Sequence, residues 1–252
     1  MVNTPASGRL LCIGDIHGCA REFECLIDAL APGADDRLVL LGDYVDRGPD
    51  SAGVLRQVLA LRDRLPHLVT LRGNHEEMLL SWLGWGGSRG DHFLRAGGRA
   101  TLSSFGLSAG EASPEDLAAA LPEAERSFLS AGLVDLWAED GFLFVHAGVR
   151  PGIVAAQQSR EDLCWIREDF LSVPEHGLDE IVVFGHTARP EVWWPAERRV
   201  LGLDSGCVYG GWLSAIDFTR AELVQVRSST LEVQRCCIEE GLAALRSRVL
   251  RA

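Results

Sequence analysis

The sequence predicts an α/β fold with a largely parallel sheet. Three observations predict it. Apolar runs of strand length recur through the first eighty positions, segments of helical periodicity separate them, and each run ends in glycine followed by a polar residue. Such an arrangement puts ligands at the C-terminal ends of the strands.

The first run is Leu10–Ile13, which ends in Gly14-Asp15. Phe23, Leu26, Ile27 and Leu30 follow at i, i+3, i+4 and i+7, one face of a helix that Pro32-Gly33 stops. Leu38–Leu41 is the second run and also ends Gly-Asp. Asp50 or Ser51 caps the next helix, whose apolar face is Val54, Val58, Leu61 and Leu65. Leu68–Leu71 is the third run and ends Arg72-Gly73-Asn74-His75, ahead of a short helix carrying Met78, Leu79, Trp82 and Leu83. Residues 84–98 hold six glycines and read as a loop, with Trp82 and Trp85 expected in the core beside it. Ser113-Pro114 starts a helix that runs to about Leu121.

The second half reads as β-rich. Leu133–Trp137 and Phe142–Val145 flank Glu139-Asp140-Gly141 as a hairpin. Ile181–Phe184, Trp212–Phe218 and Leu223–Val226 are further strands. Leu242, Leu245 and Val249 give an amphipathic C-terminal helix from about residue 238. No repeat, low-complexity tract or linker divides the chain, so a single domain over residues 1–252 is expected.

Composition narrows the function. The 252 residues are 47% hydrophobic and 24% charged, as in an ordinary globular protein. All 24 basic residues are arginine, and 36 acids give a net charge of −12. That excludes a coat for nucleic acid or an anionic membrane and suits cation binding wherever the acids converge. No run of 18 apolar residues is present, and Met1 to Gly8 lacks the order of a signal peptide. The seven cysteines show no C-x-x-C spacing, so reduced, mostly buried thiols in a cytoplasmic protein are expected.

The chemistry sits at the strand ends. They read Gly14-Asp15-Ile16-His17-Gly18, Gly42-Asp43-Tyr44-Val45-Asp46-Arg47-Gly48 and Gly73-Asn74-His75-Glu76. Adjacent strands would bring Asp15, His17, Asp43 and Asn74 around one point, where oxygen and imidazole donors suit Mn²⁺, Fe²⁺ or Zn²⁺. His146 and His186 follow two later apolar runs in the same way. Three oxygen donors and three imidazoles are too many for one tetrahedral zinc and suit two metals sharing a carboxylate.

The ordered set GDIHG, GDYVDRG, GNHE, HAG and GHT resembles the phosphoprotein phosphatase family of binuclear metallophosphoesterases over roughly residues 9–218. The resemblance implies a sandwich of two mixed β-sheets flanked by helices. It implies that Asp15 and His17 hold one divalent ion, that Asn74, His146 and His186 hold the other, and that Asp43 bridges them. Mn²⁺ is the expected metal, with Fe, Zn²⁺ or Ni²⁺ accepted by the same donors. Arg47, with Asn74 beside it, would bind phosphate, and Arg167 resembles the family's second phosphate-binding arginine. His75 would protonate the leaving oxygen, oriented by Asp46. Residues 97–102 and 204–211 resemble stretches of bacterial members. Asp204 follows an apolar run and either faces the site or forms a turn. His67, His92 and His176 match no motif and are expected on the surface or in loops, His92 in the segment that could cover the site.

The resemblance implies a protein Ser/Thr phosphatase first, acting on a phosphorylated protein or small phosphoester. The alternative is a symmetrical diadenosine tetraphosphatase. That pattern usually has Ala in place of Asp46, Asp in place of Glu76 and Trp in place of Thr187. An inactive scaffold is disfavoured because every motif residue is retained. A partner nucleic acid or membrane is not expected, and the oligomeric state is open.

Overall fold

Alternation along the strands decides how the chain packs. In the computed structural model, which describes residues 8–195 and 197–246, strand β1 (Leu10–Ile13) is buried on both faces. Leu10 and Cys12 face one apolar cluster, and Leu11 and Ile13 face another. The same alternation holds in β2 (Arg37–Leu40), where Val39 joins the first cluster and Leu38 and Leu40 the second. A strand apolar on both faces must be covered on both.

Helices cover one face. Helix α1 (Ala20–Leu30) buries Phe23, Leu26, Ile27 and Leu30, the predicted stripe. Helix α2 (Ser51–Arg64) is capped by Asp50, whose Oδ1 accepts from Gly53 N at 2.7 Å. Ser51 is buried and serves the site instead. Strand β3 (Leu68–Thr70) pairs in parallel with β2, as β2 does with β1. Helix α3 (Asn74–Trp82) leaves its end.

The second sheet covers the other face. Strands β4 (Leu136–Glu139) and β5 (Phe142–Val145) form the expected hairpin, the first strand starting three residues later than predicted. Strands β6 (Ile181–Phe184) and β7 (Val200–Gly202) extend it in parallel, giving the order β4-β5-β6-β7. Phe142 and Phe144 point into the sandwich against Phe218, while Leu143 and Val145 point out onto α7 (Arg160–Trp165) and α8 (Glu168–Leu171), which bury Leu163 and Phe170 there.

The first sheet is less parallel than expected. Strand β8 (Trp212–Asp217) returns antiparallel to β1, and β9 (Glu222–Arg227) and β10 (Val233–Cys237) continue the meander. The six strands run β10-β9-β8-β1-β2-β3. The result is two mixed sheets between helical layers, the architecture the resemblance implied.

The middle of the chain departs from the prediction. Residues 84–98 are not all loop: a 3-10 turn (Gly90–His92) and a π-helical turn (Leu94–Gly98) lead into α4 (Arg99–Ser104). Gly97, at φ 125°, supplies the backbone angle this path needs. Trp82 and Trp85 pack partly buried against the core, Trp82 on Phe93. Helix α5 (Pro114–Ala120) starts at its Ser113 cap, and α6 (Glu123–Ala131) was not predicted. His176 corrects another expectation: it is buried, with Nε2 at 3.0 Å from Arg199 O. Cys12, Cys19, Cys164 and Cys207 are buried and free, but Cys236 and Cys237 are exposed on β10. Helix α9 (Glu239–Arg246) buries Leu242 and Leu245 against the sandwich edge; Val249 lies outside the described residues. No helix of the described residues is long and apolar enough to cross a membrane.

Candidate metal centre

Five strand ends converge because both sheets present their parallel strands in the same sense. β1, β2 and β3 deliver Asp15, His17, Asp43 and Asn74, and β5 and β6 deliver His146 and His186. The chain leaves each strand abruptly. His17, Asp43, Asp46, Arg47 and His186 all hold φ between 47° and 72°, the left-handed region that costs a non-glycine residue energy. Five such residues in one place mark a site whose surroundings over-determine it.

One ligand atom each from His17, Asp43 and His75 lies within 4.8 Å of the others, and the same holds for Asp43, His146 and His186. Asp43 belongs to both groups. Its Oδ2 is 3.3 Å from His17 Nε2, and its Oδ1 is 3.4 Å from His146 Nε2. Asn74 joins the second group, with Oδ1 3.0 Å from His146 Nε2 and 2.8 Å from His186 Nδ1. Asp15 stands behind: both its oxygens accept from His186 N, at 3.1 and 2.9 Å, and it enters neither group. A side chain at Gly185 would collide with it, 2.0 Å from Oδ1.

Protonation states decide whether a cation fits. Burial lowers His17 to about 3, and lowers His146 and His186 as well, so all three are neutral at ordinary pH. His17 Nδ1 donates to Val45 O at 2.9 Å and His146 Nδ1 to Leu41 O at 2.8 Å. The Nε2 lone pair of His146 therefore faces the carboxylate of Asp43 and the amide oxygen of Asn74, an acceptor among acceptors, while that of His17 faces Asp43 and accepts from the Arg47 guanidinium. Burial opposes ionisation of Asp43, but His146, His75, His17 and His186 hold its carboxyl below the usual range. Burial, then Asp204 and Asp43, push Asp15 well up. Asp204 is pushed up to about 6 by burial and by Asp43, against the Gly206 N–H it accepts. Neutral imidazoles and an ionised Asp43 are the state a divalent cation requires of its ligands, and the crowding that pushes Asp15 and Asp204 up is negative charge that a cation would offset. The residues present fit divalent metal.

The flanking groups are held as tightly. His75 Nδ1 donates to Asp46 Oδ2 at 2.7 Å, and its Nε2 is buried with no partner. Burial opposes protonation of His75, but Asp43 and Asp46 raise it above the ordinary histidine value. Arg47 Nη1 reaches His17 Nε2. Arg167 sits at the rim, its Nη1 on Thr187 Oγ1 at 3.1 Å and its Nη2 on His186 O at 3.3 Å. It caps the start of α8 and does not project from a helix face.

Four supporting residues were not expected at the site from the sequence. Glu76, pushed up to about 7 by burial and Asp43, accepts from the N–H groups of Tyr44 (2.8 Å), Asp43 (2.9 Å) and Gly73 (2.9 Å), and so fixes the loop that carries Asp43. Thr101 donates to Asp46 Oδ1 at 2.6 Å, and Ser51 and Thr101 both accept from Asp46 N. Gly97 O accepts from Arg47 N at 3.2 Å. The signal was in the stretch 97–102, whose threonine stands one helical turn past the glycine pair.

A Cβ at Gly97 would lie 2.7 Å from Arg47 Cγ and 2.8 Å from Arg47 N. Gly97→Ala is therefore expected to displace Arg47 and, if that residue binds phosphate as the resemblance implies, to lower kcat/KM about 100-fold, because small misplacements of a positioning group cost that much. Steady-state rates on a folded variant check this, and unchanged rates would show that Arg47 does not grip the substrate.

A family model described as calcineurin-like phosphoesterase matches residues 8–207. The chain is 32% identical to a symmetrical bis(5'-nucleosyl)-tetraphosphatase of Chromohalobacter salexigens, over 83% of this chain and 94% of that protein. It is 28% identical to the asymmetrical bis(5'-nucleosyl)-tetraphosphatase PrpE of Geobacillus thermodenitrificans, over 86% and 93%. A solved structure of a candidate diadenosine tetraphosphatase superposes with a TM-score of 0.66 at 27% identity, covering 90% of this chain and 96% of that one.

Proposed function

The chain belongs to the calcineurin-like phosphoesterases, a family of phosphoester hydrolases, and from that membership we propose that it hydrolyses dinucleoside tetraphosphates at a phosphoanhydride bond. The observation that carries this reading is near-full-length similarity to two bis(5'-nucleosyl)-tetraphosphatases, one symmetrical and one asymmetrical. It moves the preference from the protein phosphatase favoured by the motifs alone to their alternative.

Each residue has work in such a reaction. We assign Asp15 and His17 to one divalent ion, Asn74, His146 and His186 to a second, and Asp43 to both, with Mn²⁺ as the first metal to try. When bound, the pair supplies positive charge to the phosphoryl oxygens and makes water nucleophilic at neutral pH. Arg47 grips the phosphoryl group from the His17 side and Arg167 from the His186 side, each with a planar fork that matches phosphate oxygens. His75 carries a proton on Nε2 toward the leaving oxygen, and Asp46 holds the ring in that orientation. None of the cysteines is needed. A single domain carries all of this.

One observation favours phosphomonoesters as a second reading. The Asp46–His75 pair is intact and buried, and an alkoxide leaving group needs the proton it holds. A substrate panel on Mn²⁺-loaded protein separates the two. Turnover of diadenosine tetraphosphate is expected to exceed that of phosphoserine, phosphothreonine and phosphotyrosine peptides by at least about tenfold in kcat/KM. Chromatography of the products tells ADP alone from ATP plus AMP. Faster turnover of a phosphopeptide would reverse the assignment.

A further inference from the structure

We propose that the exposed ring of Tyr209 is a stacking platform for a nucleobase of the substrate. The proposal rests on the dinucleotide reading above and names where one of its bases is held. Tyr209 is 65% exposed, more than any other large apolar side chain among the described residues. An aromatic side chain left open beside a buried polar site marks a contact surface.

Its position follows from what it touches. The Arg47 guanidinium lies 5.6 Å from the Tyr209 ring centroid. The same guanidinium contacts His17 at the metal centre. Ring, arginine and metal pocket thus stand in sequence from solvent inward. A phosphate gripped by Arg47 would direct the rest of a nucleotide outward past the ring.

The ring is also held ready. Gly206 and Gly210, at φ 71° and 87°, bracket a 3-10 turn (Cys207–Tyr209). Gly206 O accepts from the N–H groups of Tyr209 and Gly211, both at 2.9 Å, and Asp204 Oδ1 accepts from Gly206 N at 3.0 Å. Cys207 is buried and pins the turn to the core. A Cβ at Gly206 would lie 3.8 Å from Tyr209 Cδ2, so the ring stands beside its own turn with most of its surface open. A fixed turn that presents a tyrosine leaves only two side-chain torsions to order when a base stacks on the ring.

The experiment is an equilibrium titration of Mn²⁺-loaded protein with AMP and with ribose 5-phosphate, which lacks only the base. Tyr209→Ala is expected to weaken AMP about tenfold, as loss of base–aromatic stacking should, and to move ribose 5-phosphate less than about twofold. Tyr209→Phe should keep the affinity for AMP. In turnover of diadenosine tetraphosphate, Tyr209→Ala should raise KM by the same factor with kcat little changed. Unchanged AMP affinity overturns the platform. So does equal loss of both ligands, which would show that the ring only props Arg47, or loss confined to a phosphoserine peptide. If the wild-type protein does not turn over diadenosine tetraphosphate and the AMP contrast persists, the dinucleotide reading falls and the base site stands.

Discussion

Asp43→Asn is expected to abolish turnover, with kcat/KM down by at least about 10³-fold, and to leave a folded protein holding fewer metal ions than the wild type. The two carboxylate oxygens of Asp43 serve different donors. One faces His17 at 3.3 Å and the other faces His146 at 3.4 Å, and Oδ1 also accepts from His75 N at 3.0 Å. Among the described residues, no other side chain belongs to both groups of donors. An amide in its place has one oxygen, and its NH₂ group would face an imidazole lone pair that would otherwise be free to hold a cation. Folding should survive, because Asn tolerates the left-handed backbone that Asp43 adopts at φ 52°, and Glu76 holds the loop by its backbone N–H groups. Metal analysis beside steady-state rates makes the check. A variant that keeps the wild-type metal content and activity would remove Asp43 as the bridge and the two-ion reading with it.

How much of this centre was legible in the sequence depends on distance along the chain. The polar residues that meet in the pocket were legible because each follows a strand closely, and a short apolar run ending in glycine and a polar residue is a local signal. The layering was legible for the same reason: Leu10 to Ile13 are apolar at every position, and only a strand covered on both faces tolerates that. What holds the donors was not local. Asp15 accepts from the backbone of His186, 171 positions away, and Thr101 holds Asp46 from 55 positions away. Glycine hid the second of these. A segment with six glycines has no apolar periodicity and low helix propensity, yet Gly97 and Gly98 let the chain press against Arg47 and Phe93, where any Cβ would clash. Strand β10 was missed because all five residues are exposed at the sheet edge and show no alternation. His176 was misplaced because its burial depends on Arg199, whose carbonyl it meets only once β7 is in place.

The clearest division between anhydride and ester chemistry comes from His75→Gln. On a phosphoserine peptide this variant is expected to lose about 10³-fold in kcat, the worth of a positioned general acid. On diadenosine tetraphosphate it is expected to lose about tenfold or less, because the departing group is a phosphate oxygen that is stable as an anion and gains little from a proton. The geometry makes the residue suitable for the test. His75 Nδ1 is committed to Asp46, its Nε2 is buried without a partner, and its ring meets His17 edge to face at 4.6 Å between centroids. Asp43 and Asp46 raise it above the ordinary histidine value despite burial, which favours the protonated ring that a general acid needs. Gln keeps an N–H but cannot release it. If His75 instead held metal, the variant would lose bound ions and fail equally on both substrates, and metal analysis would show it. Comparable thousandfold losses with metal content intact would mean that the leaving oxygen of the nucleotide also takes its proton from His75. The retained Asp46 would then serve the anhydride reaction itself, with no need of a phosphoester substrate to explain it.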